Sequence, residues 1–192
     1  MKTKVTTKEE QIKANKKKIT TKDITYISLF SVIIAICSWI SIPTLVPFTL
    51  QTFAVFTALA LLGGKRGTIC IAIYILLGSV GLPVFANFKG GLGALLGPTG
   101  GYIIGFLALG LVYWLMTELI SDRLPVKIVA MVLGNILCYA LGTLWFVPVY
   151  SKMVEPIGII SALLMCVTPY IIVDLIKLAL ALIISNKLKK HM

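Results

Sequence analysis

The chain has 192 residues, of which 58% are hydrophobic and only 13% are charged, and its formal net charge is +11. Soluble domains are about a quarter charged, so this composition excludes an ordinary soluble domain and is typical of an integral membrane protein. The excess of lysine does not indicate nucleic-acid binding, because the basic residues cluster at the ends of apolar segments.

The first 23 residues are polar and rich in lysine, and an apolar stretch long enough to cross a bilayer follows them. This polar segment is too long and too charged for the n-region of a signal peptide. We therefore expect a lysine-rich cytoplasmic tail over 1–23, an uncleaved first transmembrane helix, and a single membrane domain over 24–188.

Six apolar segments are predicted to span the membrane, at 24–42, 48–62, 68–80, 102–120, 126–147 and 169–185. A spanning helix needs about 20 mostly apolar residues, or fewer where protein surrounds it, so the short second and third segments are expected inside a bundle. Prolines 43 and 47 are predicted to end the first span, the glycine-rich turn 63–67 the second, and Pro148 the fifth.

The last apolar region allows two interpretations. Residues 157–185 form either one long helix kinked at Pro169, or a short helix over 157–167 followed by a new one. A threonine at the N-cap with proline at the first helical position is a start signal, and Thr168-Pro169 has this pattern. The two-helix interpretation is therefore favoured.

The basic residues predict the orientation of the six spans. An even number of spans puts both termini on one side, and that side collects fifteen of the eighteen lysines and arginines. The other side has only Lys89 and Lys152, and Lys177 lies within the sixth span. By the positive-inside rule both termini are cytoplasmic, and the loops 42–47, 81–101 and 148–156 face outside.

Two ionisable residues, Asp174 and Lys177, fall within the sixth predicted span. A charged side chain in mid-membrane costs about 2.5 to 3.5 kcal/mol on insertion scales, so two of them in one span indicate a specific structural or functional role. Their i, i+3 spacing places them on one helical face. They either neutralise each other to fix helix packing, or point into a cavity and bind a polar solute from outside.

The stretch FKGGLGALLGPTGGY, residues 88–102, holds six glycines between apolar segments. Glycine permits close backbone approach, so the stretch is either a lid that presents N–H groups to a ligand or a flexible external connector. It matches neither the GxGxxG nor the GxxxxGK[ST] spacing, which excludes those nucleotide-binding loops. Further polar or aromatic candidates near the outer ends are Gln51, Asn87, Tyr102 and Trp145, with Asn135 and Tyr139 deeper.

Ser31 and Ala35 form a small-xxx-small pair on the first helix, with Ser28 close to that face. Such a pair permits the close approach of another helix, either from a partner protein or from within the bundle. The four cysteines show no CxxC spacing and the chain has a single histidine, so no metal or cofactor is expected.

The segments LPVFANFKGGLGALLGPTGGYIIGF and PYIIVDLIK, with PFTLQT and GTLWF, resemble the BioY family over nearly the whole chain from residue 24. Members of that family are the biotin-binding S components of energy-coupling-factor transporters. The resemblance implies an all-α integral membrane protein, a six-transmembrane-helix bundle with a ligand cavity near the extracellular side. It also implies biotin as ligand, a transmembrane coupling protein and two cytoplasmic ATPases as partners, and no catalysis in this chain.

The resemblance also suggests roles for the candidate residues. Asp174 would accept hydrogen bonds from the ureido N–H groups of biotin, and either Lys177 or Lys89 would face its carboxylate. Further contacts would come from Asn87, Gln51, Tyr102, Trp145 and the loop positions Gly97 and Thr99, and the coupling protein would dock on Ser31 and Ala35.

Two other function classes remain at this stage. The first is a self-sufficient small-molecule transporter, either facilitative or coupled to protons through Asp174. The absence of an inverted repeat and of a second carboxylate in the interior of a span weighs against this class, because Glu118 lies near the cytoplasmic end of the fourth span. The second is a purely structural membrane subunit. Uptake that persists after the ATPases are disabled would favour the self-sufficient transporter.

Overall fold

The computed structural model describes residues 20–189, so the predicted tail over 1–23 lies almost wholly outside the described residues. In this range the chain is mostly α-helical, with a short 3-10 helix over Ala86–Phe88 and a two-stranded antiparallel hairpin, in which Ser41 pairs with Thr49 and Ile42 with Phe48. The strands are β1, Ser41–Ile42, and β2, Phe48–Thr49. The α-helices are α1, Thr21–Trp39; α2, Gln51–Leu62; α3, Gly64–Ser79; α4, Leu92–Leu96; α5, Gly100–Leu119; α6, Leu124–Met153; α7, Ile159–Cys166; and α8, Thr168–Leu188.

Helix α1 begins at Thr21, three residues before the predicted limit, because Thr20 and Asp23 form a capping box. The Thr20 side chain accepts a bond from the Asp23 N–H, and the Asp23 carboxylate accepts one from the Thr20 N–H. Asp23 also pairs with Arg66 of α3 at 3.1 Å. The predicted first span over 24–42 is too long at its other end, because residues 41 and 42 belong to the hairpin.

The predicted five-residue turn at 63–67 is wrong, because Gly63 alone makes the break between α2 and α3. Its φ of 82° lies in the left-handed region that glycine adopts without steric cost, and α3 starts at the next residue. Helix α2 is buried on nearly all sides and packs against α1, α3 and α8. An apolar helix enclosed in this way does not need the full length of a lipid-facing span.

The predicted end of the fifth span at Pro148 is also wrong, since α6 continues to Met153 with Pro148 inside it. A proline inside a helix removes its own N–H bond and crowds the carbonyl four residues earlier. Here the helix continues past it, and the rings of Phe146 and Tyr150, on either side of Pro148, stack at 4.9 Å. The two-helix interpretation of the last region is confirmed by α7 and α8. Thr168 is not the N-cap, however, because it is the first helical residue of α8 and Val167 is the N-cap; the Thr168 hydroxyl donates back to the Leu163 carbonyl.

Four helices, α1, α5, α6 and α8, are long and apolar enough to cross a membrane. Large apolar side chains are exposed on their outer faces, including Leu29, Leu115 and Ile172. Exposed apolar surface on this scale marks contact with lipid or protein rather than with water.

The hairpin and the segment 80–99 lie at one end of the bundle, here called the loop end. The Ser38 hydroxyl donates to the Val84 carbonyl at 2.6 Å, and the Trp39 indole donates to the Pro83 carbonyl at 2.8 Å. The C-terminal turn of α1 therefore holds this segment in place, which argues against an unattached connector. Gly100 and Gly101, predicted in the loop, instead open α5.

Candidate functional site

A cavity of about 150 Å³ opens at the loop end, between the hairpin, the segment 80–99 and helices α2, α5, α6 and α8. This volume suits a small organic molecule rather than a single water. Its polar and aromatic lining includes Thr44, Thr49, Gln51, Asn87, Lys89, Thr99, Tyr102, Asn135, Tyr139, Tyr170, Asp174 and Lys177.

The Asp174–Lys177 pair forms one wall of this cavity. The Lys177 ammonium lies 2.8 Å from the Asp174 carboxylate. Both residues are buried, with 5% of Lys177 and 4% of Asp174 exposed. The two sequence interpretations are therefore both partly realised: the side chains neutralise each other and they also line a cavity. A buried pair of this kind requires further hydrogen bonds to satisfy its remaining donors and acceptors.

Three neighbours supply those contacts. The Tyr139 hydroxyl of α6 donates to the second oxygen of Asp174 at 2.6 Å. Lys177 donates to the backbone carbonyl of Thr49 in β2 at 2.8 Å, and its ammonium lies 4.6 Å from the centre of the Phe48 ring. The sequence placed Tyr139 at depth, but only the tertiary structure shows that its side chain enters the same cavity as Asp174.

Tyr170 is a site residue that the sequence analysis missed. Its hydroxyl donates to the Val46 carbonyl and lies 2.9 Å from the Thr44 hydroxyl, so the first turn of α8 holds the tip of the hairpin. Its ring also packs against Phe48, with 5.4 Å between centroids. Two signals in the sequence pointed to it: its position directly after Pro169, at the start of a helix, and its place in the segment PYIIVDLIK.

Asn87 and Lys89 form part of the cavity rim. Asn87 has a φ of 57°, in the left-handed region that asparagine tolerates better than most residues, and its amide oxygen accepts a bond from the Ser41 hydroxyl at 3.1 Å. Lys89 is exposed, and its ammonium makes no hydrogen bond or ion pair with any residue between 20 and 189. The rim therefore offers a free positive charge.

Two amide atoms in the lining are buried without a partner among the described residues: the Gln51 nitrogen Nε2 and the Asn135 oxygen Oδ1. An unsatisfied buried polar atom costs about 1 to 3 kcal/mol. One donor and one acceptor are thus available to a ligand in addition to the charged cluster.

Seven of the nine predicted ligand contacts line the cavity, and two do not. Trp145 and Gly97 are not among the lining residues and instead contact each other, with the indole N–H donating to the Gly97 carbonyl at 3.0 Å. Tyr102 lines the cavity because α6 has a glycine opposite it: a Cβ on Gly142 would come within 2.1 Å of the Tyr102 ring.

The predicted docking pair is buried inside the bundle. Ser31 is 1% exposed and its hydroxyl donates to the Cys70 carbonyl of α3 at 3.1 Å, while Ala35 is 6% exposed. The pair therefore serves internal packing in this conformation. The exposed face of α1 carries Ser28, Leu29 and Val32 instead.

Comparisons with known proteins identify relatives of this chain. The model of the BioY family matches residues 9–192. The biotin transporter BioY of Thermotoga maritima is 43% identical over 163 residues, covering 84% of this chain and 92% of that protein. A probable biotin transporter BioY of Pyrococcus horikoshii is 35% identical over 169 residues, covering 88% and 96%. Among solved structures, the S-component for biotin from an ECF-type ABC transporter matches with a TM-score of 0.75 and 27% identity, over 96% of this chain and 94% of that one.

Removal of the buried ammonium is expected to destabilise the fold. Lys177→Met leaves the Asp174 carboxylate buried without its cation, so the free energy of unfolding should fall by about 3 kcal/mol, and the double variant with Asp174→Asn should recover more than half of it. Thermal unfolding of the purified chain in detergent measures the stability of the single and the double variant.

The matched control is Lys127→Met, because Lys127 forms an ion pair of the same length with exposed Asp122. This substitution should lower the free energy of unfolding by less than about 1 kcal/mol. Equal losses for the two single variants would contradict a structural role for the buried pair.

Proposed function

This chain belongs to the BioY family, and we propose that it binds biotin in the cavity at its loop end and delivers it as the S component of an ECF-type ABC transporter. The observation that carries the proposal is the cavity itself, which combines a buried neutralised ion pair, two unpartnered amide atoms and a free lysine at the rim. No step in this function requires catalysis by the chain.

The proposed topology is a multi-pass membrane domain over 24–188, with six spans and both termini in the cytoplasm. The four long helices together with α2 and α3 make up the six. The distribution of lysine and arginine supports the orientation, because the loop end carries few basic residues. The cavity then opens to the outside, where biotin arrives.

The chemistry of biotin matches the two ends of the cavity. Its fused ureido ring is neutral, with two N–H donors and one carbonyl acceptor, and its aliphatic tail ends in a carboxylate. We place the ring against Asp174 and Tyr139, with the free Nε2 of Gln51 available to the ureido carbonyl. The tail then runs past Tyr102 and Thr99 toward the rim.

Lys89 is the better partner for the carboxylate. The Lys177 ammonium already donates to Asp174 and to the Thr49 carbonyl, so its charge is neutralised within the protein. The Lys89 ammonium is free at the rim, where Asn87 also lies. The hairpin and the segment 80–99 act as the lid over the bound ligand.

A self-sufficient proton-coupled transporter is not favoured. Proton coupling through Asp174 requires a carboxylate that changes its protonation state during transport. Here the Asp174 carboxylate is paired with Lys177 and accepts a hydrogen bond from Tyr139, and Asp174 is the only carboxylate among the cavity-lining residues between 20 and 189, so no second carboxylate in the lining could pass a proton on.

The coupling protein is proposed to dock on the exposed face of α1. Ser28 is a small exposed residue on that face, and small residues permit close helix approach within a membrane. Val32, one turn further along, is 51% exposed. These positions replace the predicted Ser31 and Ala35, which are buried.

Calorimetric titration of the purified chain in detergent tests the proposed function. We expect tight binding of biotin and no binding of riboflavin, a vitamin with a different ring system. A folded sample that binds neither would overturn the proposal that this chain alone forms the biotin site.

Lys89→Gln is expected to weaken biotin binding about tenfold, because it removes a charge-assisted contact to the carboxylate. Binding of biotinamide, which lacks the negative charge, should change less than threefold. The control is Lys152→Gln, because Lys152 is exposed and lies outside the cavity lining. Equal loss for biotin and biotinamide would show that Lys89 does not contact the carboxylate.

Ser28→Trp is expected to abolish biotin uptake while leaving binding in detergent intact, because the indole would block a partner helix without entering the bundle. Uptake is measured in cells that also express the coupling protein and the two ATPases. Ser31→Trp is the contrast: its side chain would be forced against Cys70, so folded protein should be lost. Normal uptake by Ser28→Trp would place the docking face elsewhere.

A further inference from the structure

Asn135 lies at the floor of the cavity. Helix α6 runs toward the loop end, and Asn135 precedes Tyr139 by one turn, or about 6 Å along the helix axis. The adjacent residue, Gly134, packs against the backbone of Leu109 in α5, well below the first turn of that helix. Asn135 is therefore further from the rim than the Tyr139–Asp174 contact.

The Asn135 oxygen is buried and accepts no hydrogen bond from any side chain or backbone group in residues 20–189. Two donors of the same lining are already engaged with other partners. The Tyr139 hydroxyl gives its proton to Asp174, and the Lys177 ammonium is directed to Asp174 and Thr49. A buried acceptor without a partner is costly, so an N–H donor on a ligand gains by filling it.

The cavity floor has no net charge. Asp174 and Lys177 cancel, and the Asn135 amide adds no charge. The free positive charge of the lining is at the rim, on Lys89. The floor therefore suits a neutral donor and disfavours a cation, which would lose its hydration without meeting a net negative charge.

We infer that Asn135 is a specificity-determining residue, whose amide oxygen accepts a hydrogen bond from one ureido N–H of biotin at the cavity floor. The inference rests on the proposed biotin function and extends it. A neutral amide at this position selects a neutral cyclic urea over a cationic ring of the same shape.

The test compares biotin with 2-iminobiotin, in which a guanidine that is cationic at neutral pH replaces the urea. Both ligands are titrated into the wild-type chain, Asn135→Asp and Asn87→Asp. The carboxylate at position 135 should shift the ratio of the two affinities at least tenfold toward 2-iminobiotin. Asn87→Asp makes the same chemical change at the rim, so it should weaken both ligands alike and leave their ratio within threefold of wild type.

The outcomes separate this inference from the proposed function. A wild-type chain that does not bind biotin overturns the proposed function, and the role of Asn135 with it. A wild-type chain that binds biotin, with an Asn135→Asp ratio within threefold of wild type, overturns the role of Asn135 alone. An equal shift in Asn87→Asp also overturns it, because the effect would then be one of overall charge.

A second variant covers the case in which Asn135→Asp does not fold. Biotin methylated on either ureido nitrogen is titrated into the wild-type chain and into Asn135→Ala. One of the two methylated ligands should bind the wild-type chain at least tenfold more weakly than biotin, and Asn135→Ala should reduce that penalty at least fivefold, because the methyl group fills the vacated space. Penalties that are the same in both proteins for both ligands would overturn the inference.

Discussion

The buried ion pair between Asp174 and Lys177 is the interaction on which the geometry of the loop end depends. Two charges within an apolar bundle are tolerated only when they are paired and fully hydrogen-bonded. Their partners come from separate elements: the Tyr139 hydroxyl from α6 and the Thr49 carbonyl from the hairpin. The hydrogen bonds that the ion pair of α8 requires therefore bring α8, α6 and the hairpin together around the cavity.

Helix α8 contacts the hairpin at two places, and the two hydrogen-bonded contacts differ in strength. At the strand, the contact is a buried, charge-assisted bond from Lys177 to the Thr49 carbonyl. At the tip, it is a part-buried neutral contact from Tyr170 to Val46 and Thr44. Charge-assisted hydrogen bonds are about twice as strong as neutral ones. Separating the tip of the hairpin from α8 therefore costs less free energy than separating the strand. A lid that opens at its tip would leave the ion pair intact.

The charge distribution of the cavity also follows from the pair. Because the Asp174 carboxylate neutralises the Lys177 ammonium, the inner end of the cavity has no net charge, and the free Lys89 makes the rim positive. A ligand with a neutral polar ring and an anionic tail fits this gradient in one orientation only. The apolar outer faces of the long helices contribute nothing to selectivity, but they hold the cavity within a membrane-type bundle.

The sequence by itself determined the membrane character, the approximate helices and the charged pair, because hydropathy, helix-breaking residues and i, i+3 spacing are local properties of the chain. The motifs of the BioY family likewise identified the relatives. Only the tertiary structure decided which faces those helices bury. Ser31 and Ala35 are buried because α3 packs on them, and Tyr139 meets Asp174 because both side chains project into the same cavity. Pro148 did not end α6, which continues to Met153 although an interior proline disfavours a helix. Such outcomes depend on contacts between residues far apart in the chain, which no local pattern encodes.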